Sequence, residues 1–280
     1  MCQSNGSPAG RQRYSRQDAG VTFMKIATWN VNSINARLEH LLKWLTEAGP
    51  DVVCLQETKC VDENFPYAAM HDAGYFSAFY GQKSYNGVAI LSKHEPEDVQ
   101  KNFPDDDGEA QKRLIAATVG GVRIVNTYIP NGSEVGSDKY VFKLDWLQRL
   151  RKFFDATCDK SSDVLLCGDF NVAPEEIDVW NVPLWQGRIL FSKPERAAIH
   201  NVKQWGLEDV FRKVNGDKKE FSWWDYREGA LQKNHGLRID HIWTSPSLAE
   251  KCTACWVDKT PRGWERPSDH APVVADFRLD

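Results

Sequence analysis

The sequence predicts an α/β fold with mixed β-sheets, and three observations predict it. Helix and strand patterns alternate early in the chain, and strand patterns crowd together late. No low-complexity linker interrupts residues 24 to 280, so they are expected to form one domain. Several apolar runs also stop on an acid, an amide, a tyrosine or a histidine, and in α/β proteins strand ends are where sites are built.

Each element has its own signal. Residues 26–29 read as a short strand stopping at Asn30. Leu38, Leu41, Leu42 and Leu45 recur at i, i+3, i+4 and i+7, one face of a helix that Gly49-Pro50 ends. "DVVCLQE" (51–57) is an apolar strand closing on Glu57. "GVAILS" (87–92), "RLIAATV" (113–119) and "VRIVNTYIP" (122–130) are strands, the last two joined at Gly120-Gly121 as a hairpin. A helix is expected over 139–158, with Phe142, Trp146, Leu150, Phe153 and Phe154 as its buried stripe. "VLLCGDFNVAP" (164–174) is a strand ending at Gly168, Asp169 and Asn171. Residues 175–220 read as loop and short helix. "FSWWDY", "RIDHIWTS", "CTACWVD" and "APVVADFRL" supply the late strands.

The chain has 280 residues and a formal net charge of −4, which excludes a binder recognised by bulk basic charge. It does not exclude an acidic enzyme with a locally basic DNA-facing surface. Between Arg212 and Arg238, seven Lys or Arg face four acids, and a solvated face is the plainest reading of that excess. Eleven tryptophans suggest a surface that stacks on planar ligands. Cys54 and Cys167 sit in apolar runs as small buried hydrophobes do, and Cys252/Cys255 form a lone CxxC without ligand-spaced partners. The first 23 residues are polar and lack an apolar core, so they read as a disordered tail rather than a signal peptide or membrane span. With seven cysteines and no such signal, a cytoplasmic protein is expected.

The polar strand ends are Asn30, Glu57, Tyr128, Asp169 with Asn171, Asp240, and Asp269-His270. Asp169 and Asn171, at i and i+2 of an extended segment, share a face. Gly, Asp, Asn and Pro also start turns, so that stretch alone serves either a turn or a site.

Taken together, "KIATWNVNS", "VVCLQETK", "YIPNG", "CGDFNVAP", "FSWWDYR" with "NHGLRIDHI", and "RPSDHAPVVADF" resemble the exonuclease III family of AP endonucleases. That family lies within the DNase I-like endonuclease/exonuclease/phosphatase superfamily. The motifs occur in the family's order across residues 24–280. "GDxN" with "SDH" marks only the superfamily, whereas "YxPNG" with "FSWWDYR…GLRID" narrows it. The resemblance implies a four-layer α/β sandwich, two mixed sheets flanked by helices. It implies a Mg2+-dependent DNA-repair nuclease, with Mn2+ able to substitute, that cuts 5′ to abasic sites and trims or cleans 3′ ends. The partner is then double-stranded DNA with abasic sites or 3′ ends, met by a monomer without membrane or obligate protein partner.

Oxygen donors without thiolate suit a hard cation. Glu57 is the first ligand candidate, followed by Asn30 and Asp269, with Asp169 and Asn171 also in the implied set. By the same resemblance Asp169 orients and deprotonates the attacking water. Asn171 donates to the developing phosphorane oxygen, a role open to an amide that cannot take a proton. His270, paired with Asp240 rather than Asp269, donates to a non-bridging oxygen, and Tyr128 hydrogen-bonds the phosphate or leaving oxygen. Arg113 and Asn131 match backbone-contacting positions. Trp223, Trp224 and Leu237 resemble the pocket for a base-less sugar; adjacent strand residues face opposite ways, which favours Trp223. Two other classes were weighed. One is a superfamily phosphoesterase acting on inositol phosphate, sphingomyelin or RNA tails. The other is a catalytically dead DNA-binding module, disfavoured because no expected catalytic position is missing.

Overall fold

A computed structural model of the chain describes residues 22–279. The expected disordered tail therefore lies outside the described residues except for Thr22 and Phe23, which belong to the first strand. The first half contains β1 (Thr22–Asn30), α1 (Leu38–Ala48), β2 (Val52–Gln56), α2 (Tyr67–Asp72), β3 (Phe76–Tyr80) and β4 (Val88–Ser92). Next come β5 (Glu97–Lys101), β6 (Leu114–Val119), β7 (Val122–Tyr128), α3 (Asp138–Thr157) and β8 (Val164–Asp169). The remainder holds α4 (Val182–Trp185), α5 (Lys193–Lys203), β9 (Glu208–Asp209), α6 (Val210–Asn215), β10 (Asp240–Thr244), α7 (Pro246–Glu250), β11 (Cys252–Val257) and β12 (Val273–Leu279).

These strands form two six-stranded mixed sheets, ordered β11-β12-β1-β2-β4-β3 and β5-β6-β7-β8-β10-β9. Alternation along each central strand explains the layers. In β2, Val52 and Cys54 face the other sheet, whereas Val53 and Leu55 face α1 through Leu41, Trp44 and Leu45. In β8, Leu165 and Cys167 point inward, whereas Val164 and Leu166 pack under α3 and α5. Strands buried on both faces read as continuous apolar runs, as these do.

A polar latch closes the sandwich just below the strand ends. Gln56 Nε2 donates to Asn126 Oδ1 at 2.7 Å and to Thr28 Oγ1 at 2.9 Å, while Asn126 Nδ2 donates to the carbonyls of Leu55 and Ala89. All three side chains are buried, so each hydrogen bond replaces one that water would have made.

Three expectations are corrected. Phe142 is 39% exposed, and the buried face of α3 instead includes Leu147 and, unexpectedly, Lys143. "FSWWDY" forms no strand but makes isolated bridges, with Trp223 pairing Leu237 and His270. The tryptophans are mainly structural: Trp29, Trp44, Trp146, Trp205, Trp224 and Trp243 are all buried. Strands β3 and β5 carried no signal in the sequence because their faces are mostly half-buried or exposed.

Gly168 fixes the approach of β8 to β7. Its φ is +140°, and a Cβ there would lie 1.8 Å from the Thr127 carbonyl oxygen. Gly168→Ala is expected to destabilise by about 2–4 kcal/mol. A thermal melt should show Tm falling by roughly 5–15 °C; an unchanged Tm would remove this backbone contact as a constraint.

Candidate active site

The parallel strands β1 and β2 finish side by side, with Asn30 opposite Gln56 and Glu57 next along. In the other sheet Tyr128 ends β7 opposite Asp169, and antiparallel β10 begins there, pairing Asp240 with Asp169. His270 lies just before β12. The sandwich therefore brings the polar strand ends of both sheets to one edge, and Asn30 joins them. Its Nδ2 donates to Glu57 Oε1 at 2.8 Å and to Asp169 Oδ2 at 2.9 Å.

Asp169 is 1% exposed and heavily bonded. Its Oδ1 accepts the Asn171 backbone N–H at 2.9 Å, and its Oδ2 accepts the Asn171 amide at 3.2 Å as well as Asn30. Burial is the main cause that raises its carboxyl to about 7; His270 pulls it down and Asp240 pushes it further up. On the far side, His270 Nδ1 lies 2.8 Å from Asp240 Oδ2, which Ser222 Oγ also contacts at 2.6 Å. Burial alone would lower the His270 imidazole, but Asp240 and then Asp169 outweigh it and raise it to about 10. Its Nε2 stands 3.7 Å from Asp169 Oδ2, beyond hydrogen-bond reach.

The chain turns sharply where it leaves β2. Glu57 and Lys59 have φ of +52° and +54°, left-handed values that cost strain in residues with a Cβ, and strain of this kind gathers at functional sites. The turn is held by Ser33 N–H on the Glu57 carbonyl (2.8 Å) and Lys59 N–H on that of Asn86 (2.9 Å). Burial acts to raise the Glu57 carboxyl, but the Lys59 ammonium and the Asn30 hydrogen bond prevail and hold it below the usual range. Lys59 Nζ is 2.7 Å from Glu57 Oε2 and 2.7 Å from Asn32 Oδ1. Asn32 Nδ2 in turn donates to Asp269 Oδ1 at 3.0 Å, and Trp223 Nε1 donates to Asp269 Oδ2 at 2.9 Å.

The expected ligands are thus distributed unevenly. Asn30 and Glu57 touch, whereas Asp269 reaches Glu57 only through Asn32 and Lys59. The Glu57 edge fits a hard cation: it is an ionised carboxylate that already draws an ammonium to 2.7 Å. Among the described residues, Asp169, Asp240 and His270 form a tighter cluster of metal-competent side chains. There, however, His270 Nδ1 is committed to Asp240, so the trio runs as a carboxylate–imidazole–carboxylate chain.

Tyr128 is half-buried; burial first, then the neighbouring Glu57 and Asp169 charges, raise its phenol well above the ordinary value. Arg113 lies over its ring at 4.7 Å and donates Nη1–H to its carbonyl at 3.1 Å. Asn131 donates Nδ2–H to Asn171 Oδ1 at 3.0 Å. Arg113 and Asn131 border a cleft of about 470 Å3 that also presents Tyr85, Lys139 and Phe142.

The three apolar positions separate. Trp223 is half-buried at the site through Asp269, but Trp224 and Leu237 are 0% exposed. Trp224 packs with Phe221 and Ala271, and Leu237 with Val179 and Phe191. Neither has surface left to touch DNA, so the expectation of DNA contact is corrected to packing for both. In the basic segment Lys213, Lys218, Lys219, Arg227 and Lys233 are exposed, as a solvated face requires, whereas Arg238 is buried against Asp178 and Asp209, and Arg212 bonds Asp178. Lys59 and Ser222 were not singled out, although they lie inside the motifs "QETK" and "FSWWDYR"; for Lys59 the spacing of two residues from Glu57 was the available signal.

Residues 27–270 match the endonuclease/exonuclease/phosphatase family. The chain is 38% identical to exodeoxyribonuclease III of Haemophilus influenzae over 267 residues, covering 91% of this chain and 100% of that protein. Among solved structures, an AP endonuclease from Archaeoglobus fulgidus superposes with a TM-score of 0.88 at 43% identity, covering 91% of this chain and 100% of that one. A 3′ phosphatase from Neisseria bound to product DNA hairpin gives 0.88 at 41% identity, with the same coverage. Among the described residues no helix is long and apolar enough to cross a membrane.

Proposed function

The chain belongs to the endonuclease/exonuclease/phosphatase family, as an exodeoxyribonuclease III-like hydrolase, and we propose that it is a Mg2+-dependent DNA-repair nuclease. On this reading it cuts duplex DNA 5′ to abasic sites, and removes nucleotides or blocking groups from 3′ ends. The observation that carries the reading is Asp169, buried between the Asn171 amide on one side and the Asp240–His270 pair on the other.

A phosphodiester resists attack because its anionic oxygens repel the nucleophile and its leaving alkoxide is poor. Glu57, with Asn30 beside it, would hold Mg2+, which when bound offsets phosphate charge and stabilises the leaving oxygen. The chain's own residues supply the rest. Asp169 is held by three N–H donors with its carboxylate facing the site, placed to orient water and accept its proton. Asp240 fixes the His270 ring through Nδ1, so its Nε2–H points into the space before Asp169 and donates to a non-bridging oxygen there. Asn131, which gives one Nδ2–H to Asn171 Oδ1, keeps the other for the same phosphate. Asn171, whose Nδ2 now serves the Ile129 carbonyl and Asp169 Oδ2, turns the longer of these two bonds, that to Asp169, toward it. Trp223, tethered to Asp269, offers an apolar wall to a sugar without a base; a nucleotide that keeps its base needs more room and costs more to extrude. The coverage of the Archaeoglobus AP endonuclease and the Neisseria 3′ phosphatase by this chain supports both the abasic and the 3′-end activities.

The test is a rate comparison with Mg2+ on an abasic-site duplex, a 3′-phosphate duplex and soluble phosphomonoesters and diesters. Efficient cleavage of the abasic duplex, abolished by EDTA, is expected. Turnover of the soluble esters alone would sink the reading.

A further inference from the structure

The α3 helix buries a charge where its sequence pattern promised an aromatic. Lys143 is 0% exposed, and so is its partner Glu195 on α5, with 2.5 Å between Nζ and Oε1. Taking both charges out of water is costly, and an apolar pair of the same volume would pack there without that cost. Stability therefore does not explain the pair. The ammonium does something no apolar side chain can: it donates to two backbone carbonyls from two separate loops. Nζ lies 2.7 Å from the Asn171 carbonyl oxygen and 3.0 Å from that of Asn131.

Those are the residues whose side-chain amides meet at 3.0 Å in the site. Asn171 has φ of +48°, a left-handed value that must be held in place. Asp169 Oδ1 grips its N–H at 2.9 Å, and Lys143 grips its carbonyl. Glu195 keeps the ammonium from wandering because its own oxygens are committed. Oε1 accepts the Leu190 N–H at 3.0 Å, and Oε2 accepts the Ser192 N–H at 2.9 Å. Gly132, at φ +90°, covers the lysine stem; a Cβ there would lie 3.1 Å from Lys143 Cδ.

We propose that Lys143 is a positioning residue, holding the Asn131 and Asn171 amides in the arrangement that contacts the reacting phosphate. This rests on the nuclease reading above. The test is Lys143→Met/Glu195→Gln, which removes both charges together and leaves neither unpaired. Tm should stay within a few degrees of the parent. On the abasic duplex kcat should fall by about 10–100-fold, the size of loss that a misplacement of about 1 Å causes, with KM within about threefold. In an Asn171→Ala background the same two changes should cost less than about threefold, because residues acting through one another are not additive. Full kcat in the double variant, or an equal loss in both backgrounds, overturns the assignment of Lys143 alone. An Asn171→Ala enzyme as active as the parent overturns the reading of the site as well. Should the double variant not fold, Lys143→Gln/Glu195→Gln, which keeps an uncharged donor of shorter reach at position 143 and leaves no carboxylate unpaired, replaces it with the same expected and overturning outcomes.

Discussion

Asp169→Asn is expected to slow cleavage of an abasic duplex by roughly 10²–10⁴-fold, the usual contribution of a positioned general base, while DNA affinity is kept. The substitution preserves shape, and one oxygen remains to accept the Asn171 backbone N–H. What it cannot preserve is the second oxygen. An amide nitrogen there would face the Asn30 and Asn171 Nδ2 donors, now 2.9 and 3.2 Å away, so donor would oppose donor and the local network must rearrange. Affinity should hold or improve, because the change takes a negative charge from beside the phosphate. Single-turnover cleavage and equilibrium binding to the same duplex separate the two effects. Unchanged cleavage would remove Asp169 from the mechanism; affinity lost in parallel with rate would make it a binding residue.

The polar edge of the candidate site was legible because each member ends or begins a strand, and strand ends are visible as apolar runs that stop. Asn30, Glu57, Tyr128, Asp169 and Asp240 were found that way, and the two sheets bring them to one place. Lys143 shows what such reading misses. Helical periodicity put Phe142 on the buried face and gave Lys143 no place there. The acceptors that make its burial tolerable come from Asn131, Asn171 and Glu195, on segments whose pairing no local pattern reveals. Trp223 and Trp224 are an intermediate case. Alternation favoured Trp223 on the premise of a strand that the segment does not form, and it is the burial of Trp224 among Phe221 and Ala271 that makes Trp224 structural. Within the Arg212–Arg238 segment, otherwise mostly exposed, Arg238 was hidden for a related reason: counting charge does not distinguish an arginine facing solvent from one buried between two aspartates.

That buried arginine leads to the largest expected loss of stability. Arg238 is 1% exposed; its Nε donates to Asp178 Oδ1 at 2.8 Å and its Nη2 to Asp209 Oδ2 at 2.7 Å. Asp178 ends the short 3-10 helix that follows β8, Asp209 caps α6, and Arg238 leads directly into β10 and Asp240. Arg238→Met leaves two buried carboxylates short of their cation, and breaking a buried pair from one side costs about 3–5 kcal/mol. For a protein of this size Tm should fall by roughly 6–20 °C. The same cluster contributes an acid-sensitive part of that stability. Burial, then the Arg238 charge, lowers His241 to about 3, so it is folded in its neutral form, its ring Nε2 3.1 Å from the Arg238 carbonyl. Since the unfolded chain binds that proton near pH 6.5, the contribution of His241 is complete above that pH. It is lost as pH falls toward 3, at about 1.4 kcal/mol per pH unit. Asp178 and Asp209 act in the same direction further down. Burial alone would raise both, but Arg238 holds both below the usual range, so their contribution is present above about pH 4 and lost below it. Asp169, raised to about 7, works the other way over the same range, because the folded chain takes up its proton before the unfolded one, and it does so in the parent and in a His241 variant alike. In denaturant melts the stability of the parent relative to His241→Phe, which keeps a planar apolar ring beside Phe170, should therefore fall as pH goes from 6.5 to 4.5. A difference between the two that does not change with pH would place the acid sensitivity elsewhere.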